Sequence, residues 1–76
     1  MEYGSFLNAV AERATVDLGL DPALVRNRID FWDDRGPLGE YLSKCQTGDG
    51  CTESDVVEVA GWIKRSIDNN TKWPVQ

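Results

Sequence analysis

The sequence predicts an all-α fold: a small single-domain bundle of about four helices, with a cysteine-bracketed loop between the third and fourth. Three observations carry that expectation. Apolar residues recur at helical spacing in separate stretches of the chain. Residues that start and stop helices stand at the ends of those stretches. No run of β-branched residues alternates with a period of two, so strands are not expected.

In the first helix, Tyr3, Phe6, Leu7, Val10, Ala11, Ala14 and Leu18 share an arc of about 140°. Ser5 is the expected cap, and Gly19 supplies the left-handed stop. The second helix has the clearest start signal, Asp21 as cap with Pro22 in the first helical position. It is expected to run to about Asp34 and to stop before Gly36-Pro37. A third, short helix from Pro37 to Lys44 carries Leu38, Tyr41 and Leu42. The fourth begins at Thr52, which with Asp55 makes a Thr-x-x-Asp capping box. Val56, Val59, Ala60, Ile63 and Ile67 share an arc of about 100°, flanked by Val57 and Trp62. Gly61 lies outside that arc, which points to tolerance on a solvated face. Asn69-Asn70 ends the helix, and residues 72–76, with Trp73 and Pro74, form a tail that is flexible or folds back on the core.

A chain of 76 residues, read as one domain over 1–76, has an adequate but thin core. Its apolar fraction of 41% and charged fraction of 28% are those of an ordinary soluble domain. No stretch reaches the ~20 apolar residues that span a bilayer. The start Met1-Glu2-Tyr3 lacks the basic and apolar blocks of a secretory signal, so a cytoplasmic protein with no membrane partner is expected. Thirteen acidic residues against eight basic ones give a net charge of −5, spread over both halves. Such a surface disfavours nucleic acid and favours encounter with a basic protein.

Histidine is absent, which removes the commonest general base and the commonest transition-metal ligand from the chain. Ser-His-Asp and Cys-His arrangements are excluded with it. The glycines match neither phosphate-binding fingerprint, and no acidic loop fits the calcium pattern. No enzyme activity, cofactor or metal is therefore expected. The stretch Cys45-Gln-Thr-Gly-Asp-Gly-Cys51 is short and flexible enough to bring its sulfurs together. Reduced thiols are the first reading in a cytosolic protein, a structural disulfide the second and a redox switch the third. Cys51, just ahead of a helix N-terminus, is expected to be the more reactive thiol.

Phe31-Trp32-Asp33-Asp34 sets two large aromatics and two carboxylates at the negative end of a helix dipole. Neighbouring aromatics point about 100° apart, so both cannot be equally buried. On the second helix Leu24, Val25, Ile29, Phe31 and Trp32 span an apolar arc of about 160°, and Arg28, which falls in its middle, is expected to reach out to a carboxylate. Arg26 and Asp30 stand at pairing distance along the opposite face. Carboxylates beside an aromatic have the composition of a binding hot spot. The expected partner-binding residues are Asp30, Trp32, Asp33, Asp34, Glu40 and Tyr41, the acids supplying charge and the two rings an apolar anchor. Trp32 as a plain core residue is the competing reading.

The stretch from Trp62 to Gln76, a fifth of the chain with no specific motif, resembles the last helix of small acidic immunity proteins that block nuclease toxins. That resemblance implies a protein partner. Phage-type inhibitors of host defence, toxin-neutralising proteins and regulatory adaptors are the analogous class. The expected function is thus a small acidic protein-protein interaction module that inhibits or modulates a partner by covering its basic surface. A redox-responsive regulator using Cys45 and Cys51, and a structural or self-associating subunit, are the alternatives.

Overall fold

The computed structural model describes residues 1–35, 38–47 and 50–71, with the backbone alone for Asp34 and Arg35. Four α-helices follow one another: α1 (Tyr3–Glu12), α2 (Pro22–Arg35), α3 (Leu38–Gln46) and α4 (Glu53–Asp68), and no strand occurs among the described residues. The expected all-α bundle is thus what forms. The tail with Trp73, and the residue pairs Gly36-Pro37 and Gly48-Asp49, lie outside the described residues.

The first helix differs from expectation at both ends. It starts at Tyr3 with Glu2 in the cap position, so Ser5 is an ordinary exposed residue of its first turn. Its end widens into a π-helical turn over Arg13–Asp17, in which the Leu18 amide donates to the Arg13 carbonyl at 3.2 Å. The β-branched pair Thr15-Val16, poorly suited to an α-helix interior, sits in this turn. Gly19 then ends the helix at φ +68°, as its residue type predicts.

Local signals placed the starts of α2 and α4 well, whereas α3, expected to end at Lys44, runs on to Gln46. The Asp21 Oδ1 accepts the Ala23 amide at 2.8 Å ahead of Pro22. At α4 the capping box closes in full: Thr52 Oγ1 accepts the Asp55 amide at 3.4 Å, and Asp55 Oδ2 accepts the Thr52 amide at 2.9 Å. The far end of α4 turns through Asn70 at φ +52°. There the Thr71 amide donates to the Ser66 carbonyl at 3.0 Å and the Asn70 amide to Ile67 at 3.1 Å, a Schellman closure with asparagine in the glycine position.

The helices meet in a shared core. Phe6, Val10 and Ala14 enter from the first helix and its π turn, and Val25, Ile29 and Trp32 from α2. Leu38 and Tyr41 come from α3, and Val56, Val59, Ala60 and Ile63 from α4. Leu24, expected in the apolar arc of α2, is instead exposed. Arg28 takes part of that arc, with only 8% of its surface accessible. It does not reach a carboxylate among the described residues. Its Nε donates to Ser66 Oγ at 2.8 Å, and its terminal nitrogen donates to Asn27 Oδ1 at 2.9 Å. Ser66, wholly buried, passes the link on by donating to the Thr71 carbonyl. A polar chain thus runs from α2 through α4 into its closing turn. Among the described residues, no helix is long and apolar enough to cross a membrane.

Candidate functional site

Of the residues expected to bind a partner, the two rings lie in the core. Trp32 is 0% exposed and Tyr41 8%, so neither can be a surface anchor in this conformation. The Tyr41 ring stacks on Phe6 at 5.3 Å between centroids and meets the edge of Trp62 at 5.7 Å. Its hydroxyl donates to Glu58 Oε1 at 3.2 Å. Burial, then the neighbouring Glu58 carboxylate, push its pKa well above the ordinary tyrosine value of 10.0. A helical wheel ranks faces of one helix; it cannot say that α1 and α4 will close over both rings.

The carboxylates remain outside. Asp30, Asp33 and Glu40 are all exposed, while the Asp34 side chain lies outside the described residues. Asp33 has a local compensation that the sequence did not reveal: the Tyr3 hydroxyl donates to its Oδ1 at 2.6 Å, tying α1 to the end of α2. Arg26 and Asp30 form no ion pair.

A second acidic feature was not foreseen. A shallow cavity of about 230 Å³ is lined by Ala9, Glu12, Arg13, Asp17, Glu53 and Val56. The π turn and the first turn of α4 form its walls. Arg13 Nε lies 3.3 Å from Asp17 Oδ2, leaving Glu12 and Glu53 without an ion pair among the described residues. The acids do not converge into a metal-ligand cluster. Glu12 and Glu53 are 41 positions apart in sequence, so this wall exists only after α1 has packed on α4.

Comparison with known proteins leaves the chain on its own. It matches no family model, no curated protein and no solved structure.

Among the described residues, Arg13, Arg28, Lys44 and Lys64 have partners within the chain. Besides Arg13, Lys44 Nζ bonds Asp55 Oδ2 at 2.8 Å and Lys64 Nζ bonds Asp68 Oδ2 at 2.6 Å. Arg28 is buried on Ser66. The Lys44 bond, followed by that of the Thr52 amide, lowers the Asp55 pKa below its usual value. Each of the three ion pairs removes one acid along with one base, so the acid excess behind the net charge of −5 is left to the remaining side chains.

The cysteines come together. Cys45, in the last turn of α3, and Cys51, beside the cap of α4, are disulfide-bonded with Cα atoms 5.3 Å apart. The two sulfurs stand where the second reading, a structural disulfide, places them. Cys51 is 3% exposed with its sulfur 3.4 Å from the Tyr41 carbonyl, whereas Cys45 is only half-buried. Cys45 is thus the more exposed of the two, whereas helix position alone favours Cys51 as the more reactive thiol.

Proposed function

We propose that this protein is an acidic interaction module that inhibits or modulates a partner protein by covering a basic surface, in the manner of phage-type defence inhibitors or immunity proteins. One observation carries the reading: among the described residues Arg13, Lys44 and Lys64 are paired with acids of the same chain and Arg28 is buried, while Glu12, Asp30, Glu40 and Glu53 face outward without an ion pair. Such a surface attracts a cationic partner at long range and repels nucleic acid. Catalysis plays no part in this reading, because the chain has no histidine and its cavity is shallow and open.

Two charge-changed variants divide the surface. Asp30→Lys with Asp33→Lys alters the α2 face, and Glu12→Gln with Glu53→Gln alters the cavity wall. Each is compared with wild type for partner retention on affinity resin, with circular dichroism as the folding control. The reading predicts that at least one folded variant loses its partner about tenfold or more. Full retention by both would reject it.

A further inference from the structure

We propose that Cys45–Cys51 is an exchangeable disulfide, opened by a dithiol reductant at the sulfur of Cys45, and that opening it loosens the first turn of α4 while the bundle stays folded. The two sulfurs are unequal: Cys45 is half-buried at the end of α3, and Cys51 is 3% exposed behind it. Attack on a disulfide needs an open path to one sulfur, and that path leads to Cys45. Cys51 directly precedes the Thr52 cap, so the bond ties the start of α4 to the last turn of α3.

The exchange balances in two steps. A thiolate of the reductant bonds to Cys45 Sγ as the Cys45–Cys51 bond breaks, and the electron pair leaves on Cys51 Sγ. That sulfur takes a proton from solvent and, as a thiol, can donate to the Tyr41 carbonyl 3.4 Å away. The second thiolate of the reductant then displaces Cys45, which is protonated in turn, and the reductant departs as its own disulfide. Two electrons and two protons have passed to the protein.

Opening is local because a second bridge joins the same segments. Lys44, next to Cys45, bonds Asp55 at 2.8 Å, and the same carboxylate closes the capping box at 2.9 Å from the Thr52 amide. Neither contact involves sulfur, so α3 and α4 stay joined after reduction while the cap, no longer tied at Cys51, opens more often. The freedom gained falls on the turn that carries Glu53 and Val56, a wall of the acidic cavity. Closing so short a loop is worth a factor of about fifty in the chain-entropy treatment, ample to change opening without unfolding α2.

The test needs no partner, so its result is separate from the fate of the proposed function. Folded wild type is exposed to glutathione, quenched in acid and mapped by peptide mass spectrometry for the mixed disulfide, with amide exchange followed before and after full reduction by dithiothreitol. The expected results are a glutathione adduct on Cys45 about tenfold or more above that on Cys51, and faster exchange over residues 51–57 with α2 unchanged. An adduct first or equally on Cys51, exchange unaltered at the start of α4, or loss of helicity throughout would each overturn the proposal.

Discussion

Ser66 shows how much a single small side chain can hold in a bundle of this size. It is wholly buried, accepts from the Arg28 Nε at 2.8 Å and donates to the Thr71 carbonyl, so one hydroxyl joins two helices and a closing turn. Replacing it with alanine strands a charged donor away from water, and we expect a loss of about 1–3 kcal/mol in urea denaturation. Arg28→Met should cost less, because the hydroxyl keeps its carbonyl and the apolar arc keeps its volume. Equal or reversed losses would show that the contact carries no weight. Arg28 within an apolar arc was legible from the sequence, but its partner, 38 positions away, was not. Trp32 was ambiguous for the same reason, since burial depends on which helix lies opposite.

At the scale of elements, legibility follows locality. Asp21-Pro22, Gly19 and the Thr52/Asp55 box act within a few residues, and each boundary they implied was found. The acidic cavity depends on packing between α1 and α4, and nothing local announced it. Asp55 joins the two scales, capping α4 and anchoring Lys44 of α3. Its folded pKa lies below the usual 3.8, so its stabilisation is present above that pH and is lost as pH falls through the still lower folded value. Asp55→Asn should therefore cost about 1–2 kcal/mol near neutrality, with the gap from wild type closing in acid. A gap independent of pH would contradict this. Gly61 offers the opposite case. A methyl group there would meet only the Arg65 guanidinium, at an ordinary 3.5 Å. Gly61→Ala should raise stability by about 0.5–1 kcal/mol in thermal melts, and a loss would mean that the site is tighter than it looks.

At the scale of the molecule, charge sorts by engagement among the described residues. Ion pairs and the Arg28 chain hold bases inward or against their own acids, while carboxylates on α2, on α3 and around the cavity face out. The overall acidity was readable from composition, but the engagement of the bases emerged only with the fold. The apolar anchor expected at Trp32 and Tyr41 is absent from the surface, which shifts the proposed recognition toward electrostatics, with Val16 and Leu24 as exposed apolar supplements. Encounter governed in this way should be fast at low salt and slow as charges are screened.

The association rate with the isolated partner, followed from low to high ionic strength, tests the central claim most directly. Wild type should bind about ten times more slowly at high salt, and the charge-altered protein should show a shallower dependence. A rate indifferent to salt, with the altered protein binding as fast as wild type, would contradict the account.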